Sequence, residues 1–98
     1  MTDQELTYLY QTEHINSAYE IIKHKYRSSL KRLTWNLVDE TFYSLPLDYK
    51  DFNSTMYYSL IDCLEHYNTK QIKYSFIQAL IIVNRTHVLR YAGKFVRN

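Results

Sequence analysis

The chain has 98 residues, 46% hydrophobic and 22% charged, which suits one domain with a modest core and excludes wholesale disorder. Its formal charge of +2 hides a split: residues 1–69 carry 6 Lys and Arg against 10 Asp and Glu, net −4, whereas residues 70–98 carry 6 Lys and Arg and no acid, net +6. The longest apolar run, Ala79 to Val83, has five residues against the roughly 20 of a membrane span, so a transmembrane helix is excluded.

Thr2 and Glu5 have the spacing of a capping box and predict a short first helix ending near Thr12. Asn16 or Ser17 is expected to cap a second, long helix reaching about Tyr43, with Ala18, Ile22, Tyr26, Leu30, Leu33 and Leu37 on its apolar face. Trp35, between Leu33 and Leu37, is expected to anchor the core. Pro46 pushes Leu45 out of helical geometry and puts a break at Ser44 to Leu47, after which Asp48 caps a restart and Asp51 sits near the positive end of the new dipole. Phe52, Met56, Leu60, Leu64 and Tyr67 form the stripe of a third helix, and Tyr67-Asn68-Thr69-Lys70 a turn. Ile77, Leu80, Ile81, Val88, Tyr91 and Phe95 mark a fourth helix, with Gly93 expected to loosen its end. One Gly and one Pro leave little material for hairpins. With no repeat or linker, the expectation is an all-α, compact four-helix domain with short connections, covering residues 1–98.

The last segment combines Lys70, Lys73, Arg85, Arg90, Lys94 and Arg97 with Tyr74, Phe76, Tyr91 and Phe95. Cations hold phosphates and rings stack on bases, so nucleic acid is the first partner implied. The third helix is expected to expose Tyr57, Tyr58 and Ser59 beside its buried stripe, a surface suited to a protein partner. The plainer reading is that the 11 tyrosines stand in for Phe and Leu.

Catalysis and metal binding find little support. Cys63 and His66 are one turn apart, but a zinc site needs about four ligands and neither Cys nor His is nearby to complete it. Cys63 lies by the apolar stripe, where a thiol is inert. Asp39-Glu40 and Asp62-Glu65 read as solvated helix charges, and His14, His24 and His87 as isolated, exposed residues. No Gly-rich phosphate loop is available. We therefore expect no enzyme, no cofactor and no metal. A lone Cys63 and a polar opening without a signal-peptide pattern agree with a cytoplasmic protein.

Order and spacing carry a likeness. The runs Leu47-Asp48-Tyr49-Lys50-Asp51-Phe52 and Leu60-Ile61-Asp62-Cys63-Leu64-Glu65-His66-Tyr67-Asn68 pass from an acidic start into a helix ending in an aromatic turn. With Asp3-Gln4-Glu5-Leu6, Ala18-Tyr19-Glu20-Ile21-Ile22 and Tyr26-Arg27-Ser28-Ser29-Leu30 before them, and Tyr74-Ser75-Phe76-Ile77, Ile81-Ile82-Val83-Asn84-Arg85 and Arg90-Tyr91 after them, nearly the whole chain resembles region 2 of bacterial sigma factors. The resemblance implies a transcription-initiation domain with RNA polymerase core and promoter DNA as partners, and an anti-sigma protein as a further candidate. It places Asp51, Phe52, Ser54, Thr55 and Tyr58 at polymerase-binding positions. Tyr74, Phe76, Asn84, Arg85, Arg90, Tyr91 and Lys94 then fall along the segment that engages the minus-ten element.

The chain also departs from that pattern. Ser54-Thr55 stand where sigma factors commonly have Gln-Glu, and Leu80 and Ile81 where housekeeping members have mid-helix aromatics, so holding DNA is better supported than melting it. A complete sigma factor has a second domain with a helix-turn-helix, which leads us to expect a fragment of a longer protein. The alternative class is a small helical interaction module, of phage or plasmid regulator type, binding a protein through its tyrosine-rich faces.

Overall fold

The Thr2 hydroxyl accepts a hydrogen bond from the Glu5 backbone N–H at 3.1 Å and donates to the Glu5 carboxylate at 3.2 Å. This satisfies a free N–H at the helix start and starts α1, Asp3–Glu13. A left-handed His14 (φ 54°) ends α1 with its N–H bonded to the Tyr10 carbonyl at 3.1 Å. The computed structural model describes residues 1–42, 49–71 and 73–96, with all their side chains except those of Thr41, Phe42, Tyr49, Phe95 and Val96. In it follow α2 (Asn16–Phe42), a 3₁₀ turn (Tyr49–Phe52), α3 (Asn53–His66) and α4 (Phe76–Val96). The expected all-α, four-helix domain is therefore what forms, with no strand among the described residues. The Asp48 cap, the Pro46 break and the Tyr43 end of α2 lie outside the described residues.

Two rows at four-residue spacing build the core. On α2, Ala18, Ile22, Leu30, Thr34 and Val38 are buried, with Tyr26 half-buried in the same row; on α4 the row is Phe76, Leu80, Asn84, Val88 and Ala92. Such i±4 rows are the ridges by which helices interdigitate. Asn84, in the middle of the α4 row, meets Thr34 near the end of the α2 row directly, because Asn84 Nδ2–H donates to Thr34 Oγ1 at 2.8 Å. Leu6 of α1 and Leu60, Cys63 and Leu64 of α3 close the main cluster, while Val38, Phe52, Val88 and Ala92 form a second, smaller one. Phe52 meets the Tyr91 ring edge-on at 5.2 Å, which fastens the 3₁₀ turn to α4.

The α4 face differs from the expected one by a rotation. Ile81 is 40% exposed and Tyr91 half-buried, whereas Phe76 and Asn84 are inside. A polar residue that buries by pairing is invisible to an apolar count, so the count settled on its Ile neighbours. Trp35 is likewise no core anchor: it is 44% exposed, one step around the helix from the buried Thr34. Leu33 and Leu37 are half-buried, their expected places taken by Thr34 and Val38. Ser59 is buried, its hydroxyl donating to the Thr55 carbonyl at 2.8 Å, which corrects its expected exposure. Gly93 does not loosen α4, which runs through it to Val96.

Candidate nucleic-acid and partner interface

Four of the five polymerase-set residues and three of the seven DNA-set residues drawn from the sigma likeness share one cleft. Asp51, Ser54, Thr55 and Tyr58 line one wall of a groove of about 400 Å³, and His87, Arg90, Tyr91 and Lys94 line the other. Four-residue spacing explains both walls: 51, 54, 55 and 58 share one face through the 3₁₀ turn and α3, and 87, 90, 91 and 94 share one face of α4. The groove is thus a seam between α3 and α4.

The walls are tied by a polar bridge. His87 Nε2 lies 3.0 Å from Asp62 Oδ2, and His66 Nδ1 lies 2.9 Å from Asp62 Oδ1 and 3.0 Å from the Asp62 carbonyl oxygen. The hydrogen bond from His87 holds the Asp62 carboxyl below its ordinary value, and the Asp62 carbonyl and carboxylate raise His66. His87 is therefore neither isolated nor fully exposed, and Asp62 is a paired group joining α3 to α4 rather than a solvated charge. No spacing rule could have found this pair, because its members are 25 residues apart.

Each remaining position has a definite place. Tyr58 is 66% exposed, and Ser54, Asp51, Arg90 and Lys94 are exposed, while Thr55 is a buried part of the groove lining and Phe52, 0% exposed, belongs to the second core cluster rather than to a contact surface. Tyr74 is exposed, with its carbonyl accepting from the Tyr67 hydroxyl at 2.5 Å and from Gln71 Nε2 at 2.8 Å. Phe76 is 1% exposed, 6.0 Å from the Tyr26 ring and 5.6 Å from the Tyr67 ring. Such a ring cannot stack on a base while the core is intact, which corrects its assignment as a DNA contact. The same holds for Asn84, 3% exposed and committed to Thr34. Arg85 is exposed on a different flank of α4, lining a shallow groove with Leu33, Asn36, Leu37, Glu40 and Ile81 of α2 and α4. Five positions from Arg90, it points about 140° away around the helix.

Cys63 is buried, and burial pushes its thiol up to about 12, with the Asp62 charge adding to the effect. A thiol so held is protonated at neutral pH and a poor nucleophile. Among the described residues, no group of three His, Cys, Asp or Glu is arranged to hold a metal ion, and no helix is long and apolar enough to cross a membrane. No protein-family model, curated protein or solved structure matches the chain.

Proposed function

We propose that this chain is a sigma region 2-like transcription-initiation domain. It binds RNA polymerase core through the 3₁₀ turn and α3, and minus-ten promoter DNA through the basic end of α4. The observation that carries the reading is the α3–α4 groove, where Asp51, Ser54 and Tyr58 face Arg90, Tyr91 and Lys94. The exposed Tyr58 ring across from the exposed cations Arg90 and Lys94 offers a stacking surface next to phosphate anchors. Since residues 70–98 contain no Asp or Glu, nothing on α4 itself opposes a polyanion. The burial of Phe76 favours holding DNA over capturing an unstacked base. An anti-sigma protein would act by covering this same seam.

Retention of RNA polymerase core by the immobilised chain tests the first half, and loss of retention with Asp51→Ala is expected. An unaltered chain that retains no polymerase refutes the sigma reading. For the second half, Arg90→Gln with Lys94→Gln should weaken binding to AT-rich single-stranded DNA and reduce the salt slope by about 1.4, two phosphates at roughly 0.7 each. The second reading, a protein-interaction module without DNA melting, is favoured by the adjacent exposed rings of Tyr57 and Tyr58. Salt-independent capture of a protein partner, with no DNA binding, would select it.

A further inference from the structure

The segment of net charge −4, residues 1–69, contains a cationic ridge that counting by segment conceals. Between Ile21 and Val38 there are five Lys and Arg and no acid. Three of them, Lys23, Arg27 and Lys31, recur every four residues and line one groove between α2 and α3. The groove measures about 400 Å³, and its opposite wall includes Asn53 and Tyr57. Its lining, among the described residues, holds no Asp or Glu.

The same row continues at both ends with aromatic residues, Tyr19 one turn before Lys23 and Trp35 one turn after Lys31. The Lys23 ammonium stands 5.7 Å from the Tyr19 ring centre and 4.9 Å from that of Tyr57, so cation and rings already form one surface. Tyr57 and Trp35 are both more than two-fifths exposed. Four residues of helix advance the charge by about 6 Å, so the three cations are spread over about 12 Å. That spacing suits a linear, repeating anion rather than a single phosphate, and the flanking rings and the Asn53 amide suit bases rather than an acidic side chain.

We propose that the α2–α3 groove is a binding track for single-stranded nucleic acid, with Lys23, Arg27 and Lys31 on successive phosphates and Tyr57 and Trp35 as stacking surfaces. The track is distinct from the α3–α4 seam, because α3 presents Asn53 and Tyr57 to one groove and Ser54 and Tyr58 to the other. It does not depend on the chain being a polymerase partner.

The test is fluorescence anisotropy of labelled oligothymidylate of about 12 nucleotides with the full chain, across a salt series. Lys23→Gln, Arg27→Gln and Lys31→Gln together should weaken binding at least tenfold and reduce the salt slope by about 2, three phosphates at roughly 0.7 each. Arg27→Gln alone, which leaves the Lys23 ring contacts in place, should reduce it by about 0.7. The charge-preserving set Lys23→Arg, Arg27→Lys and Lys31→Arg should keep the slope. The proposal is overturned if the Gln variants, folded by circular dichroism, bind with unchanged affinity and slope. It is also overturned if polyglutamate of equal charge displaces the oligonucleotide as well as unlabelled oligothymidylate does, which would assign the groove to an acidic polypeptide. Arg90→Gln with Lys94→Gln probes the other groove alone, so the two proposals fail separately.

Discussion

Replacing Thr34 by Val exchanges a hydroxyl for a methyl of nearly the same shape at a position 1% exposed. The Asn84 amide then loses the acceptor that Nδ2 reaches at 2.8 Å, and Asn84 Oδ1 already has no hydrogen-bond partner among the described residues. An unpaired buried polar group costs about 1–3 kcal/mol, so Thr34→Val should destabilise by about 2 kcal/mol. At roughly 4–8 °C per kcal/mol for a domain of this size, Tm should fall by about 10 °C. Adding Asn84→Leu, which keeps the branch at Cγ, removes the orphaned amide and its unsatisfied oxygen together. The double variant should recover about 1–2 kcal/mol, because replacing both partners by apolar groups is close to neutral. Urea denaturation of the two single variants and the double closes the cycle. A Thr34→Val loss below about 0.5 kcal/mol, or a double variant no more stable than Thr34→Val, would refute the reasoning. The double variant also tests the proposed function: a core Asn84 is expected to add nothing to the proposed DNA affinity, and a stable double variant with weaker oligonucleotide binding than the unaltered chain would return it to the interface.

Three further outcomes are expected. Trp35→Ala should cost less than about 2 kcal/mol in urea denaturation, against about 3–5 kcal/mol for Phe76→Ala, because the indole is nearly half exposed and Phe76 is enclosed. Gly93→Ala should raise stability by about 0.5–1 kcal/mol, measured by Tm, since Gly93 is helical and an added Cβ meets nothing within 4 Å. The His66–Asp62–His87 bridge sets a pH window. His66 is raised, so its contribution is complete below its ordinary 6.5 and is lost as pH rises through the higher folded value. Asp62 is lowered, so its contribution is complete above its ordinary 3.8 and is lost as pH falls through the lower folded value. Both contributions are therefore present between 3.8 and 6.5, and Asp62→Asn should flatten Tm against pH on both sides of that window.

Local signals carried much of this protein. The capped helix start at Thr2, the turn after Tyr67 and the buried stripe of α3 depend on neighbours within four residues, and the order of residue types alone states them, whereas Asn16 and Ser17, expected to cap α2, lie inside it. The exposure of Tyr57 and Tyr58 followed from the same spacing, as did the inert, buried Cys63. Three decisions needed distant partners. Asn84 is buried because Thr34, 50 residues earlier, meets it, and Phe76 is core because Tyr26 and Tyr67 enclose it. His87 is a structural link because Asp62 faces it across α3 and α4.

The charge split at Glu65 is a property of chain order. Folding redistributes charge by helix face, and a face collects every fourth residue whatever half of the chain it comes from. The sequence by itself therefore determined that the protein is helical, mixed in charge and cationic after residue 70. Only the tertiary structure decided that Arg90 and Lys94 face Asp51 and Tyr58 across one groove, that Arg85 faces elsewhere, and that Lys23, Arg27 and Lys31 form a ridge within the nominally acidic segment. Capping and periodicity are short-range and written in order, whereas a groove is made by two helices whose contact depends on which side of each is buried.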